Sequence, residues 1–429
     1  MSNSFSKEIV VAFTQMLEGF EDQEVLSKNV SKYASDQTTM ARTNDVIWRP
    51  QPYISQSYNG LDQTNNFGPY TQLSVPATIG FVKSVPWVMD SLELRDALQE
   101  GRLGDAAKQK LASDINIAIM NVASQQGTLV VPVSTAAGKY DDVALADSIM
   151  NEQGVPNFDR YAALSSRDYN GMAANLQVAS RSFGNKKSDD AYERSSVGMV
   201  ASFDTYKLDY ANRIGAFAGG GSLTMDTRAT ALNYYVPKGT STSAAGEINN
   251  VDNRYQTVTI SSTTGLVGAS ATTNGDAITF SGVNAVHHIT KGDTGRLKTF
   301  RIISVLNSTQ IVISPPIISA QGGSAAELQY QNTIVTPAAT AAIVGLNTTA
   351  ANINPFWQKD ALEILPGRLA VPDDAGAAVL RGTTSNGIEI VMQKQFDIKT
   401  SKTLFRVDTL FGVVNKQPEM SGILLWGQT

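Results

Sequence analysis

His287 and His288 are the only histidines, they are adjacent, and the chain has no cysteine. Imidazole and thiolate most often supply the general base, the nucleophile or the transition-metal ligand near neutral pH. Neighbouring residues of a strand point to opposite faces, so the pair cannot close on one metal ion. Its expected role is that of exposed or hydrogen-bonded strand residues. The absence of cysteine removes disulfides, thiolate zinc sites, iron–sulfur clusters and cysteine nucleophiles together. Gly219-Gly220-Gly221 invites comparison with a phosphate-binding loop, but no G-x-x-x-x-G-K-[ST] run is present, and SLTMDT follows without a clear helix to offer its N-terminus. A hinge between domains fits the triplet better. No G-x-S-x-G elbow occurs, and Lys186-Lys187 with Asp189-Asp190 reads as a solvated loop. The remaining carboxylates are scattered without a spacing that fixes a pair. Asn307-Ser308-Thr309 and Asn347-Thr348-Thr349 match glycosylation sequons, which carry no meaning without an export signal. No catalytic, metal-ligating or cofactor-binding set is expected.

What remains is scaffold and surface. At 429 residues the length favours two or three domains. Apolar residues make up 42% and charged residues 17%, against a typical quarter, which describes a globular, charge-poor chain. With 34 cationic and 39 anionic side chains the net charge is −5, leaving no basic field to gather nucleic-acid phosphates. No window offers about 20 consecutive apolar residues. The N-terminus, MSNSFSKEIVVAFTQMLEGF, is amphipathic and carries acids, unlike an export signal. The expectation is a soluble cytoplasmic product that neither spans a membrane nor reads a base sequence.

Near the start, Phe5, Ile9, Phe13, Met16 and Phe20 recur at helical spacing, with Glu18, Glu21, Asp22 and Glu24 on the other face and at the exit. A helix this short must dock on something else. Val46 to Pro50 reads as a short strand, and QPYISQSYNGLDQTNNFGPYTQ after it as a polar extended loop with a single charge, Asp62. Strand character returns from Leu73 to Trp87, and Asp90 with Glu93 has helix-start spacing. The clearest helix spans Arg102 to Gln126, where Leu103, Ala107, Leu111, Ile115, Ile119 and Val122 keep one stripe. A second is expected at Asp141 to Gln153. RYAALSS and GMVASFDTY read as short strands leading into turns. Beyond the glycine triplet Thr and Ser dominate, and alternating runs at Val258/Ile260, Ile278/Phe280, Phe300/Ile302 and Ile311/Ile313 mark an all-β module of barrel type. Mixed character resumes with DALEIL, and a hairpin is expected between Ile388 and Val414. The β module is therefore inserted within another domain.

The order of these pieces resembles the major capsid (coat) proteins of tailed bacteriophages with the Hong Kong 97 type fold, closest to the short-tailed group whose coat protein carries an insertion domain. The resemblance rests on NDVIWRP from Asn44, GMVASFDTY from Gly198, VDNRYQTVTISSTTG from Val251, INPFWQKDALEIL from Ile353 and RVDTLFGVVNKQPEM from Arg406. It implies an α+β subunit with an N-terminal arm (1–43), an extended loop or E-loop (50–75), a peripheral domain with a long spine helix (76–135 and 400–419), and an axial domain (136–222 and 349–399). An inserted β-barrel (223–348) and a C-terminal strand (420–429) complete it. It further implies a homo-oligomer of hexamers and pentamers that assembles with a separate scaffolding protein and a portal protein. The shell would enclose double-stranded DNA held non-specifically, as the capsid of a virion made in a bacterial cytoplasm, without membrane or cofactor. In the arm, Ile9, Phe13, Met16 and Phe20 would dock on the shell, and Glu18, Glu21, Asp22 and Glu24 would face the scaffold. Lys238, Glu247, Asp252 and Arg254 would lie in an inter-capsomer loop of the insertion, with Gly219, Gly220 and Gly221 as its hinge. Residues 51–72 contain no lysine, so the isopeptide welding of some relatives is not expected. Three rivals remain: a cellular nanocompartment shell of the same fold, against which the inserted module speaks; a hydrolase with an accessory β domain, for which the missing histidine and cysteine chemistry leaves little room; and a fibre or tail protein, in which internal repeats would be expected and none is seen.

Overall fold

The computed structural model describes residues 10, 13, 14, 26–33, 46–52, 54, 55, 57–64, 66, 67, 70–90, 97–180, 195, 197–220, 223–226, 251–270, 272–370, 378–384 and 387–429. The chain divides into two compact units, one of residues 1–47, 77–119 and 362–414, the other of 48–76, 120–361 and 415–429. Strands are numbered in chain order below.

The first unit is organised by β20 (Lys402–Asn415). Along Lys402–Thr409 it pairs antiparallel with β19 (Glu389–Asp397) on one edge and with β4 (Phe81–Asp90) on the other, and β18 (Ala378–Thr383) extends the sheet beyond β19. The expected hairpin between Ile388 and Val414 is this β19–β20 pair. Register places Trp87 opposite Phe405 and Phe81 opposite Phe411, and both ring pairs stack at 5.4 Å. Such direct cross-strand pairs hold a sheet in one register. β17 (Leu362–Pro366) joins β20 and receives β1 (Ser31–Lys32) in parallel. The root of the N-terminal segment is thus fixed, with Leu26 and Val30 buried and Leu26 N donating to Asn116 Oδ1 at 3.4 Å.

The long helix α1 runs Ala97–Gln126, starting five residues before the periodic stripe suggested. α2, Tyr140–Glu152, matches the second expected helix within a residue. In the second unit a six-stranded sheet has the order β5 (Leu129–Val133), β21 (Ser421–Trp426), β16 (Asn354–Gln358), β6 (Arg160–Ser165), β8 (Phe203–Leu208), β7 (Met199–Val200). Side-chain alternation gives it two apolar faces. Leu129, Val131, Leu424 and Trp426 pack with Val143, Ala146 and Met150 of α2 and with Tyr169, Met172 and Ala173 of α3 (Ser166–Ser180). Val130, Ile423 and Leu425 face the other way, onto Ile214, Ile353 and Ala277. Sequence reading ended RYAALSS in a turn and missed α3. Its start is set by Ser165, whose Oγ accepts from Asp168 N at 3.3 Å and donates to Asp168 Oδ2 at 2.7 Å, the S-x-x-D spacing of a helix cap.

The insertion begins after β9 (Arg213–Ile214) and ends at β15 (Ala351–Asn352), and these two pair antiparallel as a separate two-stranded ribbon, Ala351 opposite Ile214. Between them lie five antiparallel strands in the order β10 (Gln256–Thr259), β13 (Gln310–Ser314), β12 (Asp293–Asn307), β11 (Ala277–Val286), β14 (Ile343–Gly345). Residues 223–226 close the ring. Asp226 N donates to Thr259 O and Ser261 N to Thr224 O on one edge, while Met225 N donates to Ala341 O and Ile343 N to Leu223 O on the other. The alternating residues singled out in the sequence, Val258, Ile260, Ile278, Phe280, Phe300, Ile302, Ile311 and Ile313, form the core. A two-stranded ribbon of β2 (Val46–Pro50) and β3 (Ser74–Thr78) brackets the extended loop.

Strand pairing divides three expected spans. Of 349–399, β15 and β16 stay in the second unit, whereas β17, β18 and β19 are hydrogen-bonded into the β20 sheet of the first. Spans 76–135 and 400–419 are likewise shared between the units, at Ile119/Met120 and Val414/Asn415. His287 and His288 follow β11 in a turn and are not strand residues, because His287 Nδ1 accepts from Ile289 N and Thr290 N, 3.2 Å each. Gly422 of β21 sits where no side chain fits: a Cβ there would lie 2.2 Å from Leu129 O and 2.5 Å from Phe356 Cζ. Gly422→Ala should therefore cost roughly 2 kcal/mol, seen as a lower midpoint in urea denaturation of the monomer, and a midpoint equal to wild type would contradict this packing.

Candidate functional site: the buried junction and the assembly surfaces

Strand β12 carries the insertion's attachment to the sheet of its own unit. Thr299 Oγ1 donates to Thr128 O at 2.6 Å and accepts from Val130 N at 3.2 Å. One hydroxyl so satisfies the edge of β5 as a neighbouring strand would. Arg301, 0% exposed, donates to Ser124 O (3.0 Å) in the last turn of α1 and to Gly275 O (2.9 Å). A guanidinium placed there meets carbonyls the helix leaves unpaired and the negative end of its dipole. Burial lowers the Arg301 pKa to about 10, against the opposing pull of Asp276.

Lys298, 1% exposed, forms an ion pair with Glu419 and donates to Gln153 Oε1 at 3.3 Å. Glu419 Oε1 also accepts from Asn332 Nδ2 at 3.2 Å and lies 3.8 Å from His288 Nε2. Burial alone pushes the Glu419 carboxyl up, but Lys298 and His288, with the hydrogen bonds from Lys298 and Asn332, outweigh it and hold it below its ordinary value. Burial drives the His288 imidazole down to about 4, with Lys298 and Lys291 adding to the effect and Glu419 opposing it. Burial also lowers Lys291 to about 8. His288 is therefore neutral at pH 7, and the cluster's chemistry is that of anchoring. Among the described residues no group of three or more His, Cys, Asp or Glu side chains is placed to hold a metal ion.

Arg254 forms the second attachment. It is 8% exposed, pairs bidentately with Asp252 (3.0 and 2.9 Å), donates to Asn415 O at 3.2 Å, and lies 4.9 Å from the centre of the Tyr255 ring. The family resemblance implied that Asp252 and Arg254 lie in an inter-capsomer loop. The Arg254 guanidinium instead points into its own subunit, where a desolvated cation needs these acceptors. Lys238 and Glu247 lie outside the described residues, as do Ile9, Met16, Phe20, Glu18, Glu21, Asp22, Glu24 and Gly221. Phe13 of the arm is buried. A Cβ at Gly219 would meet the Phe217 ring at 2.5 Å and Leu223 at 2.6 Å, while one at Gly220 would meet nothing within 4 Å among the described residues. Phe217 itself packs on the barrel core, so close packing governs Gly219. Sequence reasoning missed Lys298, Thr299, Arg301 and Glu419. Their one visible signal is polar and charged residues interrupting apolar strands.

The extended loop presents Tyr58, Leu61, Phe67 and Tyr70 to solvent, Leu61 entirely. Its tip is built by Gly60 at φ +97° and by Asp62, whose Oδ1 accepts from Thr64 Oγ1 at 2.6 Å.

The family model described as P22 coat protein (gene protein 5) matches residues 1–427. The chain belongs to the P22 coat protein family. It is a phage major capsid protein of α+β, Hong Kong 97 type fold, a structural subunit and not an enzyme. Its place is the virion capsid, as one copy in a homo-oligomeric shell. Solved structures similar to this P22-family chain include one from Mycobacterium phage Che8 (10% identity, 93% of this chain and 90% of that one, TM-score 0.43). Others are the bacteriophage PhiM1 mature capsid (10%, 93% and 86%, 0.40) and the CUS-3 coat protein I-domain (34%, 30% and 99%, 0.22).

Two outcomes follow for this coat protein. Lys298→Ala leaves Glu419 buried without its main counter-charge and should cost about 3 kcal/mol, read by urea denaturation, whereas the double change to Met at 298 and Leu at 419 should recover most of that loss. His288 titrates near 6.5 when unfolded and near 4 when folded. The unfolded chain therefore binds more protons between these values, and the stability from a neutral His288 is complete above about pH 6.5 and lost as pH falls toward 4. Its full extent is about 3 kcal/mol. Denaturation midpoints at pH 7 and 4.5 should converge in His288→Asn relative to wild type, and an unchanged gap would refute the assignment.

Proposed function

We propose that this coat protein assembles as hexamers and pentamers, with a separate scaffolding protein, into an icosahedral shell around a portal and phage double-stranded DNA. The observation that carries this reading is the family match over 427 of 429 residues. A closed shell repeats each subunit contact by symmetry, so moderate contacts suffice and no catalytic group is required. The exposed Leu61 and Phe67 support a loop that a neighbouring copy covers. Net charge −5 suits a container that holds DNA without gripping it.

The N-terminal arm is the proposed scaffold-facing element. Ile9, Phe13, Met16 and Phe20 would dock it, leaving Glu18, Glu21, Asp22 and Glu24 to a basic scaffolding helix. Lys238 and Glu247 are kept as inter-capsomer contacts of the insertion. Exposed ion pairs contribute only about 0.2–1 kcal/mol each, so the acids must act together. Mixing the purified chain with its cognate scaffolding protein should give closed particles by electron microscopy. Changing Glu18, Glu21 and Asp22 together to Lys should weaken scaffold binding, and wild-type binding should fall as salt rises. A chain that stays monomeric with scaffold at every concentration would sink the shell reading, and a triple variant that binds and assembles normally would sink the arm's role.

A further inference from the structure

The extended loop leaves its unit through a root that the insertion grips. Between β13 and β14 the insertion carries the short helix α4 (Ala325–Tyr330), whose Gln329 and Tyr330 are buried. Gln329 pairs with the main chain of Thr71 in both directions: Thr71 N donates to Oε1 at 3.2 Å, and Nε2 donates to Thr71 O at 3.0 Å. A side-chain amide here makes the two bonds that a facing strand residue would make. Tyr330 OH also donates to Thr71 O, at 2.9 Å, so that carbonyl accepts from two donors. Next along the chain, Leu73 packs with Tyr330, Ile318 and Ile54, and Ser74 forms a main-chain bridge with Asp252. The clamp is itself braced. Ser324 accepts from Glu327 N at the start of α4, and the Lys291 ammonium donates to Gln329 O (2.8 Å) and Gln331 O (3.2 Å) at its end.

At the loop tip, the side-chain hydrogen bonds of Asp62, Gln63, Thr64 and Asn66 found among the described residues join loop residues to one another. The root is held on both sides, where Gln51 N donates to Leu73 O at 2.8 Å and α4 holds Thr71. We infer that Gln329 and Tyr330 are positioning residues for assembly, which fix the direction in which the extended loop leaves its subunit. A subunit with the clamp open spreads its loop over a wider cone and captures a neighbour more slowly. This rests on the reading of residues 50–75 as the loop that reaches a neighbouring subunit.

The chain lacks cysteine, so Leu61→Cys with Thr264→Cys places two spin labels at exposed sites of the same unit, and pulsed dipolar spectroscopy reads the distance between them. The otherwise unaltered chain should give a narrow distribution. Gln329→Ala should broaden it, and Tyr330→Phe should do so less, the closed-to-open ratio falling roughly tenfold for each hydrogen bond removed. Without the labels, shell formation with scaffold should slow in the same order, while the monomer's thermal midpoint shifts by only a few degrees. A narrow distribution in Gln329→Ala, or a broad one with wild-type assembly rates, overturns the inference. If Gln329→Ala does not fold, Gln329→Glu, which keeps the acceptor for Thr71 N, and Tyr330→Phe, which loses one hydroxyl, decide by the same criteria. A wild-type chain that forms no shells overturns the functional reading and the assembly role with it, whereas normal shells from every variant overturn the inference alone.

Discussion

Two cations removed from water, Lys298 and Arg301, are the condition on which the second unit is built. A desolvated ammonium or guanidinium is tolerated only where acceptors surround it. That requirement ties β12 to Gln153 beyond α2, to the last turn of α1, and to Glu419 beside the C-terminal strand. Each acceptor is held by a different element, so the insertion and the six-stranded sheet cannot adopt independent arrangements without leaving charges unpaired. Thr299 extends the same logic to a neutral group by completing the edge of β5.

A great deal of this subunit could be read from residue order. The barrel core was visible in Ile278, Phe280, Phe300, Ile302, Ile311 and Ile313, because alternation of period two in a Thr- and Ser-rich context has few other solutions. α1 and α2 were visible because their stripes are long. What stayed hidden is what depends on distant partners. Lys298 and Glu419 are 121 residues apart and Arg301 and Ser124 are 177 apart, and nothing local in DTGRLKTFRIIS says what those side chains meet. Arg254 misled for a related reason: the family resemblance set it in a loop reaching a neighbouring capsomer, yet its acceptors lie in its own subunit. α3 was missed where the cue was present, in the Ser165–Asp168 spacing, and the apolar run before it took precedence.

The same limits shaped the domain boundaries. The sequence suggested blocks, but β17, β18 and β19 pair with β20 while β15 and β16 pair in the other sheet, so the chain crosses between units at Ala361/Leu362. Composition does not change at that point. Hydrogen-bond pairing decides it, and pairing depends on which edges are free once the longer strands have formed.

The two-residue ribbon of β9 and β15 holds the insertion's entry and exit side by side, with paired Cα atoms about 5 Å apart. In evolutionary terms this is a splice point. A gene segment of almost any length whose ends meet at that spacing closes there without stretching the sheet, since loop closure grows only slowly with length. Acquisition of an extra domain at this position therefore asks little of the host fold at first. The buried charges of β12 and the Gln329 contact with Thr71 then distinguish a retained component from a passenger, because once they are in place, deleting the segment would strip the end of α1 and the root of the extended loop of their partners.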